Sequence, residues 1–152
     1  SALELVLRGF GEEKFSKKIA REIVTRREDR PFESTFDLVE AVLAVKRKSF
    51  RDKIHPATKT FQALRIAVNE ELTQLEIGLE KGFEALREKG RFVVISFHSL
   101  EDRIVKNFFR DRVKDGRARK VGTLKPVTVS TEEIESNPRS RSAKLRVIEK
   151  LL

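Results

Sequence analysis

The sequence contains no cysteine, which removes disulfides, thiolate metal ligands and cysteine nucleophiles together. Methionine, tryptophan and tyrosine are also absent, so all eleven aromatic residues are phenylalanine. Such a reduced alphabet is a mark of a redesigned or reconstructed chain. The only two histidines, His55 and His98, lie far apart, and no metal site is expected from them. No apolar run approaches the roughly 20 residues that span a bilayer, so no membrane partner is expected. The longest, Phe92 to Phe97, is strand-sized. There is no Gly-x-Gly-x-x-Gly, no Walker loop, and no acidic residue placed after a glycine-rich turn to hold a ribose. Ser1-Ala2-Leu3 leads into an amphipathic segment with acidic residues, which is not a secretory signal. A start at Ser rather than Met reads as processed, tagged or cut. The expected compartment is the cytoplasm.

What is abundant is charge. Lys and Arg number 33 against 24 Asp and Glu, a net charge of +9 on 152 residues. A basic chain of this size suggests a polyanionic partner. A charge-rich thermophilic surface gives the same composition. The length fits one domain or two very small ones, and a hydrophobic fraction of 39% allows a real core.

The chain reads as two parts, residues 1–89 and 90–152. The first has helical period. Phe15, Ile19, Ile23 and Val24 make one apolar stripe, and Asp29-Arg30-Pro31 breaks it. Ser34 or Thr35 caps a second helix, and a basic connector runs from Lys46 to Lys53. His55-Pro56 sets a turn. A long helix from Ala57 or Thr58 to Lys89 should follow, with Gly78 and Gly82 as weak points. The second part opens on a strand over 91–97 that is apolar on both faces, a pattern that calls for parallel neighbours. Ser99 to Asp102 resembles a capping box and starts a helix. Residues 112–123 read as a mobile basic loop and 124–129 as an edge strand, because Pro126 excludes a central one. Ser130 caps a short helix that Asn137-Pro138 ends, and 144–152 forms a final strand.

Four segments hold residues that packing does not demand. In 55–62, His55, Lys59 and Gln62 stand at a helix N-terminus suited to phosphate, with Arg65 one turn on; capping by Thr58 or Thr60 is the plainer alternative. In 96–103, Ser96, His98, Asp102 and Arg103 stand where a strand ends and a helix begins, the edge at which α/β sheets bind ligands. There Ser99 and Asp102 serve equally well as helix caps. In 137–146, Asn137, Arg139, Ser140, Arg141 and Arg146 suit phosphate, or form a solvated charge run. The basic stretch 110–125 either grips a nucleic-acid backbone or is a solvated connector.

Taken together these segments resemble the MraW family, the bacterial small-subunit rRNA cytosine-N4 methyltransferases. The resemblance is carried by Gly-Glu-Glu-Lys-Phe and Ile-Ala-Arg-Glu-Ile-Val (11–15, 19–24) and by His-Pro-Ala-Thr-Lys-Thr-Phe-Gln-Ala-Leu-Arg-Ile-Ala-Val-Asn-Glu-Glu-Leu (55–72). Val-Val-Ile-Ser-Phe-His-Ser-Leu-Glu-Asp-Arg-Ile-Val-Lys (93–106) and Asn-Pro-Arg-Ser-Arg-Ser-Ala-Lys-Leu-Arg (137–146) continue it in order. It implies a helix-rich α/β chain: a helical insertion that meets RNA, then the end of a Rossmann-like methyltransferase sheet. The family's N-terminal half, with its glycine-rich cofactor loop, has no counterpart here. Cofactor-binding residues are therefore carried to no position, and S-adenosylmethionine is expected for the family but not for this chain alone. His98, Ser96 and Asp102 are implied on one wall of the active site. His55, Lys59, Gln62, Arg65, Arg103, Asn137, Arg139, Ser140, Arg141 and Arg146 are implied to contact small-subunit rRNA. The alternatives are a stand-alone RNA-binding module, or a truncated or redesigned self-associating chain. A homodimer that covers the incomplete sheet is expected.

Overall fold

A computed structural model describes residues 1–46, 54–122 and 125–151. The expected connector over 47–53, and the ends of expected elements at Thr123, Leu124 and Leu152, lie outside the described residues. The chain divides into two compact units, 1–71 and 72–152. The division falls earlier than the 89/90 boundary that composition suggests, because the helix over 71–85 packs Leu79 and Phe83 into the core beside the strands.

The first unit is helical: α1 (Ala2–Gly9), α2 (Ser16–Asp29), α3 (Thr35–Val45) and α4 (Thr58–Asn69). Leu7, Ile19, Ala20, Ile23, Ala41, Val42, Ala57 and Ala63 form its core. Ile19 and Ile23 are the buried members of the expected stripe, whereas Phe15 is the exposed N-cap of α2. Ser34, not Thr35, caps α3, in a reciprocal box with Asp37. The α1–α2 turn lies against the first turn of α4. A Cβ on Gly11 would sit 2.6 Å from the Lys59 carbonyl oxygen and 2.7 Å from that of Leu7, so only glycine fits. Beside it Glu13 is buried, accepting from the Phe15 N–H at 3.0 Å and pairing with Lys46 at 3.3 Å.

The expected long helix is two. α4 ends where Glu70 takes a left-handed conformation, φ +50°, and α5 (Glu71–Ala85) begins at once. α5 runs on through Gly78 and Gly82. At Gly82 the Phe92 ring is near enough that a Cβ would meet it at 3.1 Å.

The second unit holds β1 (Arg91–Ser96), α6 (Ser99–Lys114), β2 (Ala118–Lys120), β3 (Val127–Thr128), α7 (Thr131–Ser136), a 3-10 turn (Pro138–Ser142) and β4 (Lys144–Lys150). β4 is central, with β1 on one side and β2 and β3 on the other, all antiparallel. The helix-rich α/β class therefore stands. The expectation of parallel neighbours does not hold for the described pairs. Phe92, Val94 and Ile148 face α5 and α6, where Phe83, Phe92, Phe108 and Phe109 pack with ring centroids 5.9–6.4 Å apart. Nor is β1 buried on both faces. Val93 and Ile95 on its other face are 50% and 53% exposed, with Phe97 at 54% and Val127 at 64%.

The basic stretch expected to be a loop is mostly regular: α6 continues to Lys114, and Ala118–Lys120 pairs with β4. Three of its arginines are paired with acids of neighbouring elements. Arg112 and Arg117 reach Glu80 and Glu84 on α5, and Arg119 reaches Glu149 at 2.6 Å. The buried Lys150 ammonium closes the C-terminal end of α5, donating to the carbonyls of Phe83, Glu84 and Leu86 at 3.1, 2.9 and 2.9 Å. It thereby satisfies acceptors that the helix end leaves without partners, with a cation at the negative dipole end.

Candidate functional site

The turn from β1 into α6 is the most highly constrained part of the second unit. His98, not Ser99, is the N-cap: its Nδ1 accepts from the Glu101 N–H at 3.4 Å. Glu101 answers with Oε2, accepting from the N–H groups of Phe97 at 2.8 Å and His98 at 3.3 Å. A histidine thus takes the place of Ser or Thr in a capping box, shifted by one residue from the expected Ser99–Asp102 pair. Because Nδ1 accepts, the neutral ring carries its proton on Nε2, which lies 3.4 Å from Glu101 Oε1 with no hydrogen bond formed.

Asp102 does not cap; it clamps. Arg146 on β4 donates Nε to Oδ1 at 2.8 Å and Nη2 to Oδ2 at 3.1 Å, and Lys144 adds a third contact to Oδ2 at 3.4 Å. Asp102 is 9% exposed and Arg146 8%. The Arg146 hydrogen bonds, reinforced by the charges of Arg146 and Lys144, hold the Asp102 carboxyl below its ordinary pKa of 3.8 despite burial. Buried Ser96 lies opposite Lys144 in the ladder and donates to its carbonyl at 3.5 Å. So Ser96 and Asp102 converge with Arg146 at one end of β1 and β4, but in mutual contacts. Arg146, expected on phosphate, forks onto Asp102 instead of standing exposed. In the sequence Glu101 stands beside Asp102 as an acceptor near a helix start, and Lys144 is one of the basic residues of 137–146. The three-residue spacing of Glu101 from His98 is the signal that pairs these two.

The other expected residues fall in three places. On α4, His55 Nδ1 accepts from the Ala57 N–H at 3.2 Å, Lys59 donates to the Glu12 carbonyl at 3.1 Å, and Arg65 forks onto Glu71 at 2.7 and 3.0 Å. Gln62 is half-buried one turn on from Lys59. No side chain caps α4, so neither Thr58 nor Thr60 does what the plainer reading asked. In the 3-10 turn, Ser140 is buried and donates to the Asn137 carbonyl at 2.8 Å, which leaves Arg139 and Arg141 exposed on either side of it. Arg103 is exposed on the first turn of α6.

A cofactor would need free donors or a free carboxylate at this strand end. The amides of Phe97 and His98 are taken by Glu101, and the carboxylate of Asp102 by Arg146 and Lys144. The described residues therefore do not by themselves form a nucleoside-binding cradle.

A helix-rich α/β chain with an incomplete sheet and an ordered strand–turn–helix at one end is consistent with part of a methyltransferase-like fold. Comparison with known proteins gives the same class: the profile of the MraW methylase family matches residues 1–151, and the chain belongs to that family. Similar proteins include the ribosomal RNA small subunit methyltransferase H of Pelobacter propionicus, 48% identical over 164 aligned positions covering 98% of this chain and 52% of that protein. That of Persephonella marina is 49% identical, covering 98% and 51% respectively. That of a Sulfurihydrogenibium species is 50% identical, covering 93% and 48%. The chain thus spans about half the length of the relatives it matches. Among the described residues no helix is long and apolar enough to cross a membrane.

Proposed function

We propose that this chain is the RNA-facing, C-terminal portion of an S-adenosylmethionine-dependent methyltransferase that modifies a cytosine N4 of small-subunit rRNA in the cytoplasm. The observation that carries this reading is the β1–α6 turn. Its histidine cap and buried Asp102–Arg146 clamp fix the turn where β1 ends, which on this reading is one wall of the active site. The rest of that site, cofactor cradle included, belongs on this reading to the part of the relatives that the chain does not span. His55, Lys59, Gln62, Arg65, Arg103, Asn137, Arg139, Ser140 and Arg141 remain the proposed rRNA surface. Within it Arg139 and Arg141 are the phosphate-binding pair, and Ser140 holds the turn that presents them. Calorimetric titration of the chain with S-adenosylmethionine is expected to show no binding. One-site micromolar affinity would overturn the division of labour.

The bare face of Val93, Ile95, Phe97 and Val127, beside the edge strand β1, supports a second proposal. Uncovered apolar sheet faces and edges invite pairing. The isolated chain is expected to form a homodimer through this face. Sedimentation across a dilution series checks it: a mass that stays monomeric at every concentration refutes the dimer.

A further inference from the structure

The excess positive charge is not spread evenly. Most cations near acids are neutralised: Lys46 by Glu13, Arg26 by Glu22, Arg30 by Asp37, Arg65 by Glu71, and Lys144 and Arg146 by Asp102. Lys14, Lys17, Lys18 and Arg21 differ. All four are exposed, and none has a hydrogen-bond or ion-pair partner among the described residues. At 3.6 residues per turn, positions 17, 18 and 21 share an arc of about 100° on α2. That arc lies opposite the buried Ile19, Ala20 and Ile23. Lys14 stands at the helix entrance, next to the N-cap.

These residues work against the local fold. Like charges three and four positions apart repel along a helix face. Cations in a first turn oppose the helix dipole. Inside the first turn of α2 there is no acid and no side-chain cap, so only the Glu13 carboxylate, on the Phe15 N–H just before it, offsets this. By contrast α1, α3, α6 and α7 place Glu4, Asp37, Glu101 with Asp102, and Glu132 with Glu133 there. Four exposed cations against a single such anion leave an excess of charge that points to compensation from outside the fold.

We propose that Lys14, Lys17, Lys18 and Arg21 form a second phosphate-backbone contact for rRNA, on the helical unit; the proposal rests on the RNA-binding reading above and extends it to α2. The partner must be densely anionic and must ask for no apolar contact, since Thr25 and Glu28 continue the same arc and the apolar face of α2 is buried in the core. Lysines act as mobile point charges, suited to a backbone of irregular path. The patch also adjoins the α4 segment. Gly11 packs on the Lys59 carbonyl, and the Lys59 ammonium donates to the Glu12 carbonyl, so the entrances of α2 and α4 form one basic edge.

The test compares two fourfold variants of the same charge change, titrated with a small-subunit rRNA transcript at several salt concentrations. One carries Lys14→Ala, Lys17→Ala, Lys18→Ala and Arg21→Ala. The other carries Lys81→Ala, Arg87→Ala, Lys106→Ala and Lys114→Ala, exposed cations of the second unit with no partner among the described residues. The α2 variant should lose at least about tenfold in affinity at low salt, and its slope of log affinity against log salt should shrink by about two to three. The other variant should lose clearly less. The α2 variant should also melt no earlier than the unmodified chain, because the removed charges opposed the helix. Should it nevertheless melt early, the pair Lys17→Gln and Lys18→Gln carries the same comparison. Equal losses in the two variants overturn the α2 contact and leave the RNA reading standing. Absence of RNA binding by the unmodified chain overturns that reading, and the patch with it.

Discussion

Replacing Asp102 with asparagine lowers the stability of the strand-containing unit by about 3–5 kcal/mol, the cost of stranding a buried charge. For a unit of this size that is a fall in Tm on the order of 15 °C or more. Arg146 is 8% exposed, and its two hydrogen bonds to Asp102 help offset the burial of its charge. In Asp102→Asn the fork faces a neutral amide and Lys144 loses its counter-charge. The double variant Asp102→Asn with Arg146→Met should lose less than Asp102→Asn alone, since the stranded cation is gone. The effect depends on pH in a fixed direction. The folded-state pKa of Asp102 lies below the ordinary 3.8, so its contribution is complete above pH 3.8 and is lost as pH falls through the lowered folded value. The stability gap between the parent and Asp102→Asn should therefore be constant near neutrality and close in acid. Denaturant titrations from pH 7 to pH 2 measure it, and a gap that widens in acid would contradict the clamp. The clamp bears on function because it bolts the first turn of α6 to β4, which fixes where the turn carrying His98 stands.

How much of this was legible beforehand follows from how local each determinant is. The β1 run, the Ser130 cap and the final strand announce themselves within a few residues, and they appear where expected. The break at Glu70 was not readable, because a non-glycine residue in a left-handed conformation leaves no compositional trace. β2 was mistaken for a loop because Arg117, Arg119 and Lys120 look like solvated charge. The strand becomes intelligible only when Glu149, across the ladder, meets Arg119. The cap was placed at Ser99 because serine is a commoner cap than histidine, while the Glu101 amide goes to His98. Arg146 looked like a phosphate ligand beside Arg139 and Arg141; its partner lies 44 residues away and β4 turns it inward. The apolar face of β1 was read as buried in a sheet, yet the described residues leave it half bare. The residue pattern registers a covering surface that these residues do not supply.

On the proposed function the chain holds rRNA through its phosphates. The second large effect expected of it is therefore the response of its rRNA affinity to salt. Released counterions make log affinity fall linearly with log salt, and six or more phosphate contacts cost about a thousandfold between 50 and 200 mM. Arg139 and Arg141, the edge formed by α2 and α4, and Arg103 together offer that many. Titrating the unmodified chain with a small-subunit rRNA transcript at 50, 100 and 200 mM salt measures it directly. A fall of about three orders of magnitude across that range is the predicted result. A flat response, or no binding at 50 mM, would contradict the account.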